Sequence, residues 1–584
     1  MYVRCNPNKK NIKYLSYVKG FRDKNGISRQ VTVSKIGDWE DLIKKFDDPI
    51  KHFNELAKNK DDEFSIIIEQ NQKISNENTR FNLGYCILKK IYNELELKQL
   101  LNTYQKKTNI QYNLNDILQL LIYSRILYPA SKKETFDNKN RFFDDFDFSL
   151  NDLYRSLDHF SSLKSDIEKT IWDNTKESYK RDTSTVYYDC TNYYFEISYN
   201  DEDLIDEQGN ILEKAYRKKG PEKNKRPDSI ISLGLLMDNN CIPLSYTLFP
   251  GNESEKTTLR PILKNSKNNF NLDRLITVAD RGLNTSDNTV FIAGKNDDTT
   301  NKDGYIFGQS ILSADKEFKD YVLNPDDYVI DKELDKNGSA ISFKHKSRIF
   351  AKTIQINRDG KRTNKSIIYQ RQMVYYSDKY AQKQKKQRDL VIEKAKDLIN
   401  NPGKYTRATS FGATTFINNI KFEKESGLVS DDCVLSINED KINELEKFDG
   451  YYSIVSSELN MSDKELRDKY KGLWEIEETF KISKSQIQSR PVYVWTKDHI
   501  ESHFLTCFIS LVIIRLLEKS LDDQYSYEKI IDSLKKYECS HLKGNYYLFD
   551  FRNEIIEQTE KIFNFDLSNK YQTISNIRKI LNNI

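Results

Sequence analysis

Glu477 stands as an acid among cations and aromatics. In "YKGLWEIEETFKISKSQIQSRPVY", residues 470–493, Tyr470, Glu477 and Lys484 recur at intervals of seven. At about 100° per residue of helix, Tyr470 and Lys484 fall within about 20° of Glu477. Trp474 and Lys481 flank this face, and Leu473, Ile476, Phe480 and Ile487 form an apolar stripe beside it. The neighbouring acids Glu475 and Glu478 lie about 160° and about 100° away from it. Glu477 is therefore the acid that the cations surround.

Two more acids stand where a predicted strand runs out, Asp189 after "TVYY" and Asp280 after "LITVA". In α/β sheets, ligands gather at the carboxyl ends of strands, so such residues converge. Three carboxylates brought together repel one another unless a cation neutralises them. Hard oxygen donors with room for water and phosphate oxygens suit Mg²⁺ or Mn²⁺. Two such ions ~4 Å apart activate a water or a 3′-OH and stabilise the leaving oxygen in phosphoryl transfer. Asp189, Asp280 and Glu477 are thus the expected catalytic and metal-ligating set, holding two ions.

The elements that must position these residues follow from periodicity. Residues 1–38 alternate as strand, Lys-Asn-Gly turn, strand. Helical periods occupy 81–105, 113–128 and about 149–180. From 183 the style changes to strands: "TSTVYYDCTNYYFE", then the pair in "SIISLGLLMDNNCIPLSYTLFPGN", then "LDRLITVAD" and "GYIFGQSI", with a helix at 257–270. Residues 312–445 lose this rhythm and mix β runs and loops with a basic helix at 376–399. The strand "YYSIVSS" precedes the Glu477 helix, and "FLTCFISLVIIRLL" reads as a buried helix. The expected regions are 1–75, a β-hairpin; 76–180, helical; 181–311 and 446–519, two parts of one catalytic core; 312–445, an insertion; and 520–584, a helical tail.

Composition excludes several classes. Net charge is +4 over 584 residues, so nucleic-acid binding rests on local patches. Seven scattered cysteines without a CxxC pattern point to reduced thiols in a cytoplasmic protein and away from a zinc module. The N-terminus has no apolar run of a signal peptide. The longest apolar stretch is shorter than the ~20 residues that span a bilayer, and it contains Arg515, so no membrane role is expected.

The motif set resembles the DDE transposases of bacterial insertion sequences, in the subgroup with Tyr-(2)-Arg-(3)-Glu-(6)-Lys around the last acid. Tyr470, Glu477 and Lys484 match that spacing, and Leu473 stands at the arginine position. "YYDCT" resembles the family's first block, Asp-x-Thr after a strand, and "TVADRGLNT" its second. The paired strands at 229–252 and the hairpin "VRCNPN…YVKGFRD" are similar to the family as well, and the long gap before Glu477 resembles members with a β-rich insertion. The resemblance implies a mixed α/β protein with a ribonuclease-H-like catalytic domain, a β-rich insertion, an N-terminal β-hairpin and helical region that binds DNA, and a C-terminal helical region. It implies cut-and-paste transposition near the bacterial nucleoid: recognition of terminal inverted repeats, cleavage that frees a 3′-OH, and joining to target DNA by a chain that pairs as a homodimer on double-stranded DNA. The alternatives are a nuclease of the same fold without strand transfer and an inactive DNA-binding remnant.

In that frame Lys484 and Lys481 counter phosphate charge, Tyr470 donates a hydrogen bond to phosphate and Trp474 stacks on a displaced base. Arg490 or Lys481 takes the role of the missing arginine. The basic runs 217–226 and 379–388 are expected at DNA, with Lys383, Lys386 and Arg388 as contacts. His499 and His503, at i, i+4, have no third ligand in the pattern, and a structural or phosphate-side role is expected. Cys190 is expected as a small buried residue, and Trp39, Trp172 and Trp495 as packing residues.

Overall fold

The β-branched and aromatic run Thr185–Tyr194 forms a strand, β1, in a computed structural model of the chain. The structure describes residues 2–7, 13–22, 28–58, 80–221, 228–294, 303–334, 340–358, 361–407, 409–410, 412–423, 426–430, 434–542 and 545–584. They divide into two compact units, Met1–Ser156 with Leu516–Ile584, and Leu157–Arg515.

The second unit is built on one mixed sheet. Its strands are β1, β2 (Ile230–Asp238), β3 (Pro243–Pro250), β4 (Ile276–Ala279), β5 (Gly304–Gln309), β6 (Val329–Leu334), β7 (Ala340–Arg358), β8 (Lys361–Tyr376) and β9 (Tyr451–Ser456). They lie in the order β6-β7-β8-β9-β5-β4-β1-β2-β3. β1 runs antiparallel to β2, and β2 to β3, while β1, β4 and β5 are parallel. The block β3-β2-β1-β4-β5, with a three-strand meander feeding two parallel strands, is the ribonuclease-H-like sheet, and the fold is mixed α/β. The helix Leu259–Phe270 (α2), which links β3 to β4, and the helix Lys164–Thr175 (α1) cover one face. There Val186, Tyr188 and Cys190 of β1 join Leu236, Leu259 and Trp172 in the core.

Residues 312–445 show more order than their sequence rhythm suggests. β7 and β8 are a 19- and a 16-residue strand, paired along nearly their whole length, and β9 joins them to β5. The segment therefore widens the same sheet. One face of β7 and β8 is buried, with Ile354, Ile368 and Val374, but polar Lys346, Gln370 and Gln372 are buried too while apolar Ile349, Ile367 and Tyr369 are exposed, so the apolar alternation is blurred. The basic helix runs Asp378–Asn400 (α3).

In the first unit the strands Tyr2–Pro7, Lys13–Arg22 and Ser28–Asp38 form an antiparallel sheet over Val3, Leu15, Leu42 and Phe53. The Lys-Asn-Gly turn lies outside the described residues. The helical period at 81–105 is divided. Arg80–Asn82 is a strand, and the helices Tyr85–Glu94 and Leu97–Lys107 part at Glu96, which takes a left-handed φ of 56°. Among its described residues the tail carries three helices, and three short strands beside them. Glu538–His541, Tyr546–Phe549 and Tyr571–Thr573 make a four-stranded sheet with Arg80–Asn82. Runs of three or four residues are too short to display a period of two.

Candidate active site

Successive side chains of β1 point to opposite faces. Against the core cluster of Val186, Tyr188 and Cys190, the residues Thr185, Tyr187, Asp189, Thr191 and Tyr193 face the other way. The helices Asp463–Lys471 (α4) and Trp474–Ser485 (α5) lie across that side. Lys469 Nζ donates to Thr185 Oγ1 at 2.7 Å. Gly472 rests on Tyr187, where a Cβ would come within 2.3 Å of the phenol oxygen, so only glycine permits this approach. Lys484 Nζ donates to Thr191 Oγ1 and lies 5.5 Å from the centre of the Tyr193 ring. Ser483 Oγ is 2.8 Å from the Tyr193 hydroxyl.

Asp189 sits midway along this row, between Tyr187 and Thr191. The helical stretch between their partners, Gly472 and Lys484, is the one that carries Glu477. Glu477 stands two turns, about 10.5 Å, before Lys484. Asp189 stands about 6.6 Å along the strand before Thr191. Glu477 and Asp189 thus lie on facing surfaces, and Glu477 is exposed.

Asp280 reaches the same end of the sheet from β4. The parallel register pairs Ala279 with Tyr188, which sets Asp280 level with Asp189 on the next strand. Asp280 caps the turn Arg281–Leu283, accepting from Arg281 N at 2.7 Å. Tyr470 closes over this point. A Cβ on Gly308 would lie 2.5 Å from the Tyr470 hydroxyl and 2.9 Å from Arg281 N. Burial, with the Asp280 carboxylate adding to it, holds the Tyr470 phenol well above its ordinary value.

The three glutamates of α5 separate cleanly. Glu475 pairs with Arg515 at 3.8 Å, and that guanidinium also donates to Thr479 Oγ1 at 2.7 Å. Arg515 belongs to the buried helix Lys497–Ser520 (α6), so Glu475 is turned toward the packed side. Glu478 is half-buried, and Glu477 is exposed.

Four expectations need correction. Asp189 lies inside β1, which runs on to Tyr194, and Trp495, expected to pack, is exposed. The stretch from Tyr470 to Lys484 is not one regular helix. Leu473 N donates to Tyr470 O, Glu475 N to Gly472 O and Ile476 N to Leu473 O, all at i→i+3. This tight turn winds at three residues per turn, so the 100° wheel does not carry from Tyr470 to Glu477. Arg388, expected at DNA, is buried. It pairs with both carboxylate oxygens of Asp449 and with Glu446 at 3.2 Å. A run of lysines hides one arginine whose partners lie some sixty residues on.

Elsewhere, Lys383 and Lys386 are exposed on α3, Trp474 is half exposed and Lys481 exposed. The Arg490 guanidinium lies 5.6 Å from the Tyr194 ring centre. Of the basic run 217–226, Arg217 pairs with Asp201 and Lys218 with Asp203, while residues 222–226 lie outside the described residues. His499 pairs with Asp158 at 3.3 Å, and His503 Nε2 is 3.0 Å from Ser489 O. Burial pushes the Cys190 thiol up to about 12, and the six described cysteines are all free. Sequence reasoning passed over Lys469 and Arg281. Each stands one residue from a chosen position, Tyr470 and Asp280, and that adjacency was the available signal.

Asp189, in the middle of β1, and Asp280, just past the end of β4, are hard oxygen donors on neighbouring strands, the chemistry that a Mg²⁺ or Mn²⁺ ion takes. Among the described residues, no three His, Cys, Asp or Glu side chains form a group close enough to hold a metal ion. A cleft of about 230 Å³ opens beside Asp280, lined by Arg281, Gln309, Tyr380, Gln384, Tyr451 and Tyr452.

No family model matches the chain, and no curated protein matches it. Among solved structures, the piggyBac transposase synaptic complex with hairpin DNA aligns over 86% of this chain and 84% of its own, at 8% identity and a TM-score of 0.32. The Mos1 transposase paired-end complex with the left transposon end aligns over 43% and 67%, at 10% identity and a TM-score of 0.14. Likeness this distant adds nothing to what the strand order and the site geometry carry.

Proposed function

We propose that this chain is a DDE transposase of a bacterial insertion sequence, of the Tyr-(2)-Arg-(3)-Glu-(6)-Lys subgroup, acting on DNA in the cytoplasm. The observation that carries the reading is the level pairing of Asp189 and Asp280 on the adjacent parallel strands β1 and β4, faced by the helices that bear Tyr470, Glu477 and Lys484. Asp189 and Asp280 would hold divalent metal, with Glu477 joining from α5. Metal bound there supplies Lewis-acid activation of a water or 3′-OH and stabilisation of the leaving oxygen.

The chain's own residues do the rest. Lys484, fixed on Thr191 two residues beyond Asp189, sets a positive charge beside the scissile phosphate. The Tyr470 phenol, kept protonated by burial and by Asp280, is a hydrogen-bond donor at neutral pH. Lys481, Arg490 and Trp474 line the approach for the DNA end. Recognition of the terminal repeats belongs to residues 1–180.

A supercoiled plasmid and a pre-cut element end, incubated with Mg²⁺ and the chain, test the reading. Joined product is the expected result. Cleavage without joining would make the chain a nuclease of the same fold, and retardation without chemistry a DNA-binding remnant.

A further inference from the structure

Between β1 and β2 the chain leaves the sheet to make a small arm, the antiparallel strands Leu204–Ile205 and Ile211–Glu213. The arm is firmly built. At its tip Asp206 accepts from Gln208 N at 3.0 Å and from Asn210 N at 2.7 Å, and Gly209 takes the φ of 83° that the turn demands. At its root Arg217 pairs with Asp201, Lys218 with Asp203 at 2.9 Å, Lys214 with Glu253 at 3.3 Å and Lys497 with Glu213. Yet what it holds out is apolar. Leu204 is 58% exposed, Ile205 58%, Ile211 55% and Leu212 64%. Trp495, read from sequence as a packing residue, is 55% exposed beside them and lines a cleft of about 350 Å³ at the arm's root. A two-stranded ribbon alone is marginal in water, and aliphatic side chains fixed in solvent mark an interaction surface.

The charge on the arm selects the partner. Glu202 and Glu207 are exposed on it, so phosphate is repelled and DNA is not the occupant. A basic surface ending in an apolar residue complements it, and this chain displays one. On α3, Lys379, Lys383, Lys386 and Leu390 stand at i, i+4, i+7 and i+11, one stripe of the helix, and all four are exposed. Both surfaces are solvent-exposed in the single chain, so they do not cover each other there. We propose that the arm of one copy docks on the basic face of α3 of a second copy. A two-fold axis then gives two equal arm-to-helix contacts and a closed dimer. The lysines read from sequence as DNA contacts are thereby assigned to the partner chain. The inference holds whatever reaction the site performs.

The full chain without DNA is the test, with its mass followed by analytical ultracentrifugation. The expected result is a concentration-dependent dimer of the 68.8 kDa chain. Ile211→Asp with Leu212→Asp, both at exposed positions, should weaken self-association by about tenfold or more, a shift of about 1.4 kcal/mol. Glu202→Lys with Glu207→Lys should weaken it, as should Lys383→Glu with Lys386→Glu, and the combined charge swap should restore it. A monomer at every concentration would overturn the proposal. So would a dimer indifferent to the arm variants, or a charge swap that fails to rescue.

Discussion

The two faces of β1 are made by the same ten residues and do opposite things. Val186, Tyr188 and Cys190 are sealed in a core where even the Cys190 thiol is pushed up to about 12. Thr185, Tyr187, Thr191 and Tyr193 meet lysines, a serine and a glycine across the other face. The sealed face gives the strand its stability. The polar face, where Thr185, Tyr187, Thr191 and Tyr193 meet α4, α5 and the turn between them, holds Asp189 at a fixed place beside Asp280. β1 is buried along both faces, and that burial sets where the backbone lies and so where Asp189 stands.

Substitutions can pull these two roles apart. The largest effect is expected from Asp189→Asn or Asp280→Asn, which should lower Mg²⁺-dependent cleavage by roughly 10²–10³-fold or more while leaving DNA retardation and the denaturation midpoint nearly unchanged. A comparable loss of stability would mean that Asp189 serves the fold. On the sealed face the pattern should reverse. Tyr188→Ala, which empties a fully buried site and removes the 2.7 Å bond to Thr258, should cost about 3–5 kcal/mol by urea titration. Cleavage per folded molecule should be unaffected.

A second carboxylate sharpens the contrast. Glu168 on α1 is fully buried, bonded to Ser245 Oγ at 3.0 Å and Tyr246 N at 3.3 Å, and burial raises it from 4.5 to about 7. The folded chain keeps a proton that the unfolded chain releases first. Stability from this group is whole below pH 4.5 and is lost as pH rises through about 7. Glu168→Gln should flatten that fall, by about 3 kcal/mol at most, in melting curves taken from pH 5 to 8. An unchanged pH profile would show that Glu168 is ionised in the fold. The smallest effect is expected from Lys484→Met, about tenfold in DNA affinity, with the salt slope reduced by about one and little change in stability. A slope that does not move would confine Lys484 to holding Thr191.

Much of the second unit was legible because its signals are local. β1 to β5, α2, α3 and β9 announce themselves by runs and turns of their own residues, and Asp280 follows a strand end that can be read from one strand, while β1 runs on past Asp189. The spacing of Glu477 and Lys484 is equally local. Other features were hidden. At the tight turn Gly472 comes down onto Tyr187, far back in the chain. Arg388 among its lysines looks like a surface residue until Asp449 and Glu446 are brought to it.

The sequence by itself determined most strands and helices of the second unit, and that Asp280 follows the end of a strand, since those depend on neighbours a few positions away. The tertiary structure alone decided that β1 and β4 lie side by side and in register, so that Asp189 and Asp280 are level. It also decided that β7, β8 and β9 extend the sheet, and that the strand Arg80–Asn82 pairs with Glu538–His541. Pairing of this kind joins backbone groups that are alike at every residue. The choice of partner is therefore made by packing across the whole chain, which no local stretch of sequence encodes.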